Sequence, residues 1–319
     1  MLVLIFPGQG SQRPGMGAPW VDHESWQLVG ELSDIVGRDV AELLLETDGD
    51  ALRATRNAQL ATYALSLIAL DAATNGPLRR LGIGRPATAG TGTGTGGAIA
   101  AVAGHSLGEY TALVAAGALK TETGAELVQA RGEAMQVAAE ASPGTMAAIL
   151  GLDLTGVTEA CDEATGAWVA NDNTAGQVVV AGTVSGVEQA SAAALRLGAK
   201  RVVPLQVGGA FHTPLMRLAQ ERLDAELTGV DFSPSTCPLV ANVDATAHTD
   251  GFGPLLSAQL CSRVRWRESL LTMADMGATL FVELGPGTEL SGMVKRTVPD
   301  AARANVAAPQ DLEALSALL

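Results

Sequence analysis

The chain has 319 residues, 47% hydrophobic and 17% charged, enough to bury one large core or a core with a smaller domain. A formal net charge of −14 argues against a general binder of nucleic-acid backbones, and the basic runs Arg263, Arg265, Arg267 and Lys200, Arg201 read as solvated faces. Three widely spaced cysteines, Cys161, Cys237 and Cys261, and four histidines without ligand spacing exclude a disulfide framework, make a metal site unexpected, and fit a reducing cytoplasm.

The opening MLVLIF predicts a buried strand, Leu2 to Phe6, too short to span a membrane and without the basic flank of a signal peptide. It breaks at Pro7 into PGQGSQ, which leaves Gln9 between two glycines at the carboxyl end of a strand, where open α/β sheets build their sites. The phosphate-loop pattern G-x-x-x-x-G-K-[ST] is absent. A helix is expected over Leu60 to Ala73. Residues 90 to 97, GTGTGTGG, hold Gly92, Gly94 and Gly97 on a dinucleotide-binding spacing. No strand precedes them and no helix follows, so the stretch reads as a low-complexity loop and NAD is not expected.

After the apolar run Ala98 to Val102, the decapeptide AGHSLGEYTA sets Ser106 between Gly104 and Gly108 on the spacing G-x-S-x-G. The following residues, LGEYTALVAAGAL, keep helical spacing and close on Gly117, so Ser106 lies at a strand-to-helix turn beside free N–H groups and the positive end of a helix dipole. It is a candidate nucleophile; a helix cap is the plainer role. The next helix, Gly124 to Ala139, carries Leu127, Val128, Ala134, Met135 and Ala138 on one face, interrupted by Arg131. A buried guanidinium needs an anion, either a glutamate of the protein or a carboxylate brought by a ligand.

From about Gly144 to Val207 the rhythm becomes strand (Thr145 to Leu150), helix (Leu154 to Ala164), strand (Ala167 to Ala170), strand (Gln177 to Ala181), helix (Gly186 to Leu197) and strand (Arg201 to Val207). That βαββαβ order is the ferredoxin-like unit, inserted in a larger α/β fold with a parallel sheet, leaving a cleft between them. His212, in GGAFHTPLM, precedes a helix that Thr213 caps with Pro214 in its first turn, and is a candidate base. For a histidine base, acylation is expected to slow as pH falls through its pKa between pH 8 and 5. Further strands are expected at Pro238 to Val240 and Thr279 to Glu283.

PGQGSQ, GHSLGEY, the RGEAMQ arginine and the AFH histidine, with NTAGQVVVAG (Asn173 to Gly182), VELGPG and GMVKR, together resemble the malonyl-CoA:acyl carrier protein transacylases of fatty acid and polyketide synthesis over nearly the whole chain. The resemblance implies a hydrolase-like α/β core (1–140 and 208–319) with a ferredoxin-like small domain (141–207). Ser106 would be acylated, His212 would take its proton, and the N–H groups of Gln9 and Leu107 would form an oxyanion hole. Arg131 would pair with the malonyl carboxylate, with Met135 and Phe211 in the substrate pocket, where a bulky Phe211 matches malonyl-selective members. A main-chain carbonyl, expected from Gln259, would orient the histidine in place of an acid. The implied partners are malonyl-CoA and acyl carrier protein, with no bound cofactor, no metal, no nucleic acid and no membrane, the chain acting as a cytoplasmic monomer. A rival reading is a serine thioesterase of α/β-hydrolase type, with Asp153, Asp162 or Asp172 between serine and histidine. It leaves Arg131 and PGQGSQ without a purpose.

Overall fold

A computed structural model describes residues 1–81 and 99–319; the Gly/Thr stretch 90–97 lies outside them. The strands are β1 (Leu2–Phe6), β2 (Ile99–Gly104), β3 (Thr145–Leu150), β4 (Ala167–Thr174), β5 (Gln177–Gly182), β6 (Arg201–Pro204), β7 (Leu239–Val240), β8 (Ala247–His248), β9 (Leu280–Leu284) and β10 (Ala302–Val306). One sheet has the order β10-β9-β1-β2-β7-β8, and the other β4-β5-β3-β6. In the first sheet every neighbour is parallel except the edge pair β7 and β8, which is antiparallel and departs from the all-parallel expectation. The second sheet is antiparallel throughout.

β1 is buried along its whole length because both faces of its sheet are covered. Its alternate residues serve different packing layers, as the two-residue period of a strand requires. Leu2, Leu4 and Phe6 meet the layer that holds the helices Thr55–Asn75 and Thr121–Ala141. Val3 and Ile5 meet Trp266, Leu270 and Met273 of the helix Trp266–Asp275, with Leu290 and Val294 of the helix Glu289–Thr297. The smaller sheet divides likewise. Ala147, Ile149, Val178 and Val180 pack under the helices Leu154–Asp162 and Val184–Arg196, while Met146, Ala148, Val179 and Ala181 turn towards the main core.

Several element ends differ from expectation by a few residues, and two of them matter to the cleft. β4 runs on to Thr174 along β5, where Asn171, Asp172 and Thr174 face Val179, Val178 and Gln177, and the segment around Val264 bridges to the same stretch: Val264 N–H donates to Ala170 O (2.8 Å) and Asp172 N–H to Val264 O (2.9 Å). This tertiary pairing carries Asn171, Asp172 and Asn173 across the gap between the sheets. β6 ends early, at Pro204, with Leu205 N–H still donating to Met146 O of β3 (3.0 Å), so residues 206–211 lead to His212 without sheet pairing. Among the described residues, no helix is long and apolar enough to cross a membrane.

Candidate active site

The loops leaving the carboxyl ends of three adjacent strands, β1, β2 and β7, bring Gln9, Ser106 and Asn242 together. Ser106 has φ of 53°, a left-handed conformation that costs energy for a residue with a Cβ and is sustained only when surroundings over-determine it. The surroundings are visible. A Cβ on Gly104 would fall inside the backbone of Gly108, and one on Gly108 would strike the Phe6 carbonyl, so both glycines of G-x-S-x-G exist for close approach. Asn242 then ties the turn, accepting from Ser106 N–H at Oδ1 (2.7 Å) and donating from Nδ2 to Gly104 O (2.7 Å).

His212 also has a left-handed backbone, φ 61°, and the Thr213 cap with Pro214 in the first turn forms as expected. Its Nε2 lies 2.8 Å from Ser106 Oγ and its Nδ1 2.9 Å from the main-chain O of Gln259. A carbonyl only accepts, so Nδ1 carries the proton and Nε2 is the acceptor for the serine hydroxyl. Gln259 ends the helix Phe252–Gln259, and the partial negative charge of a helix terminus thus faces the ring, where an acid would otherwise stand. Burial first, then the charge of Arg131, hold the His212 pKa down to about 3. The imidazole is therefore neutral across the physiological range, and the expected slowing between pH 8 and 5 has no origin in this ring. None of the three aspartates of the rival reading is hydrogen-bonded to it: Asp153 caps a helix and Asp172 pairs with Arg267.

Arg131 lies in the helix Thr121–Ala141 and is buried. Its Nη1 donates to Gln59 Oε1 (2.7 Å), and Nη2 donates to both Ser106 Oγ (2.9 Å) and Gln259 Oε1 (2.9 Å). The Tyr110 ring lies 5.6 Å away, and Nε has no hydrogen-bond partner among the described residues. Every acceptor that touches this cation is neutral. Among the described residues it forms no ion pair; Glu109 attracts it through space without contact. The glutamate alternative for its partner therefore fails.

Gln9, Met135, Phe211, His212, Ser106 and Arg131 line one cavity, and Gln9 also lines the wider cleft beside it. Leu107 sits at the start of the helix Gly108–Ala115 with its side chain in the core. Among the described residues, the N–H groups of Gln9 and Leu107 are without a hydrogen-bond partner, as an oxyanion hole requires. Sequence reasoning missed Asn242, Gln59, Asn173 and Glu109. Asn173 Oδ1, an amide oxygen, only accepts, so His105 Nε2, 2.9 Å away, donates to it. Glu109, fully buried, accepts at Oε2 from Gln259 Nε2 (2.9 Å) and Asn242 N–H (3.1 Å), and burial raises its pKa to about 7. The available signal was an acidic residue among apolar neighbours in GEYTALV.

A family model described as an acyl transferase domain matches residues 3–310. The malonyl CoA-acyl carrier protein transacylase of Bacillus subtilis is 38% identical over 303 residues, 92% of this chain and 90% of the relative. A crystal structure of an acyl-carrier-protein S-malonyltransferase from Burkholderia pseudomallei superposes with a TM-score of 0.88 at 36% identity, covering 99% of both chains. A malonyl-transacylase solved in complex with a type II PKS acyl-carrier protein gives a TM-score of 0.89 at 33% identity, over 100% of this chain and 99% of that one.

Proposed function

The chain belongs to the acyl transferase family, and from that premise we propose that it moves a malonyl group from malonyl-CoA to the phosphopantetheine thiol of an acyl carrier protein through an ester on Ser106. One observation carries the reading: a serine hydroxyl 2.8 Å from a neutral imidazole and 2.9 Å from a buried guanidinium that, among the described residues, no carboxylate contacts. As Ser106 Oγ bonds to the thioester carbon, its proton passes to His212 Nε2, and the oxyanion accepts from the N–H groups of Gln9 and Leu107. Collapse breaks the C–S bond, and the departing thiolate takes the proton back from Nε2. The carrier thiol then repeats the sequence in reverse. The thioester supplies the activation, so no bound cofactor or metal is needed.

Arg131 holds the malonyl carboxylate, and Met135 and Phe211 bound the acyl pocket, with the Phe211 ring opposing an α-methyl branch. The reading extends to the architecture. The strand order β4-β5-β3-β6 with two helices on one face supports a ferredoxin-like unit at 141–207, and the strands of the larger sheet support a hydrolase-like core from 1–140 and 208–319. It places a monomer in the cytoplasm, in keeping with cysteines that are all free thiols. The test is intact mass spectrometry after mixing with malonyl-CoA. A malonyl adduct is expected on the wild type and absent from a folded Ser106→Ala variant, and added carrier protein should collect it faster than water does. An adduct that persists in the variant, or one lost mainly as free malonate, would overturn the reading.

A further inference from the structure

The hydrogen bond from Arg131 to Ser106 ties up the atom that must attack. Resting on the reading that Arg131 receives a substrate carboxylate, we infer that this carboxylate also activates the nucleophile, by taking over the hydrogen that Arg131 now gives to Ser106 Oγ.

The argument is a count of hydrogens. A guanidinium offers a carboxylate two forks, Nε with Nη2 and Nη1 with Nη2, so Nη2 belongs to both. Its two hydrogens are already committed, one to Ser106 Oγ and one to Gln259 Oε1, each at 2.9 Å. A carboxylate cannot dock with two parallel bonds unless one of these partners yields.

Gln259 is the partner that stays. Its amide is fully buried and held from the other side, Nε2 donating to Ser106 O (3.0 Å) and to Glu109 Oε2 (2.9 Å), which fixes Oε1 towards Arg131. Ser106 lines the cavity with Arg131, and Gln259 does not. An anion arriving through the cavity meets the serine side of the cation first, and Nε, buried without a partner, stands ready as a second donor.

The exchange changes the chemistry at Oγ. The hydroxyl gives its one proton to His212 Nε2 and accepts from a cation at a lone pair, which draws electron density from the attacking atom. Once a carboxylate holds the guanidinium, that lone pair is released while the bond to His212 remains. An acyl group without a carboxylate leaves the serine restrained, so discrimination is exerted on the rate of acylation as well as on binding.

The test supplies the carboxylate separately from the acyl donor. Ser106 is sulfonylated with phenylmethanesulfonyl fluoride, a neutral probe: an Oγ–S bond forms, fluoride leaves, and the hydroxyl proton passes to His212. The rate is followed by intact mass in sodium formate or in sodium chloride at equal ionic strength, and formate competition against malonyl loading is measured alongside. Formate should raise the wild-type rate saturably, by about tenfold, a factor equal to ~1.4 kcal/mol of barrier. Arg131→Met should react faster than wild type in chloride and ignore formate. Formate that competes with malonyl but leaves sulfonylation unchanged would overturn the inference and spare the reading beneath it. Formate that does not compete would remove the carboxylate site itself. The wild-type arm decides the matter even if Arg131→Met does not fold.

Discussion

Two arginines of this chain serve a buried place in opposite ways. Arg267, on the helix Trp266–Asp275, donates through Nε to Asp172 of β4 (3.0 Å to Oδ2), and the pair pins the smaller sheet to the larger where β4 crosses the gap. Arg131 is more deeply buried and, among the described residues, its hydrogen-bond acceptors are two glutamine oxygens and a serine hydroxyl. Where the fold needs a charge for its own integrity, it places the opposite charge in contact. A buried cation given only neutral acceptors is solvated enough to persist and left able to receive an anion.

The comparison breaks most readily at Arg131. Arg131→Ala should lower the malonyl-to-acetyl ratio of kcat/KM by at least about 10²-fold, with acetyl transfer unchanged or improved, because each charge-assisted bond to a carboxylate is worth roughly 1.5–3 kcal/mol. Equal losses for both acyl groups, measured by loading from the two CoA thioesters, would make Arg131 a structural residue like Arg267. Asp172→Ala should do the reverse. With Arg267 partly exposed, the lost pair should cost about 1–3 kcal/mol of unfolding free energy in denaturant titrations, while the acyl ratio stays within about twofold of wild type.

Glu109→Gln tests the smallest effect, that of a carboxylate that acts on Arg131 without touching it. Its folded pKa is raised, so wild type gains stability from this group below the ordinary glutamate range and loses it as pH climbs to about 7. The variant has no such loss, and its melting temperature relative to wild type should rise from pH 5 to pH 8. His212, with its pKa depressed, destabilises both proteins alike as pH falls from the ordinary histidine value towards about 3, and so cancels in the difference. Acylation of the variant should be flat from pH 8 to 5. A falling acid limb in that range would mean that His212 titrates near its ordinary value.

The residues that could be read from the sequence are those whose chemistry is carried by one side chain in a local pattern. Ser106 stands between glycines that the turn demands, His212 before a capped helix, and Arg131 in an apolar stripe. The βαββαβ rhythm was legible for the same reason, since each element follows from its own periodicity. What could not be read depends on pairing across long separations. Asn242 meets Ser106 from 136 positions away, and Gln259 meets Glu109 from 150. The bridge from Asn171 of β4 to Val264 likewise joins distant segments, and the low pKa of His212 follows from burial that no local motif encodes.

The atom that orients His212 belongs to the main chain. Every amino acid carries that carbonyl, so no amino-acid substitution at position 259 deletes the acceptor, whereas an aspartate in the same place could be lost to one. The dependence passes instead to the path of the chain. A helix that ended one residue sooner or later would present a different carbonyl, and insertions or deletions in 252–259, more than substitutions, are the genetic events to which this histidine is vulnerable.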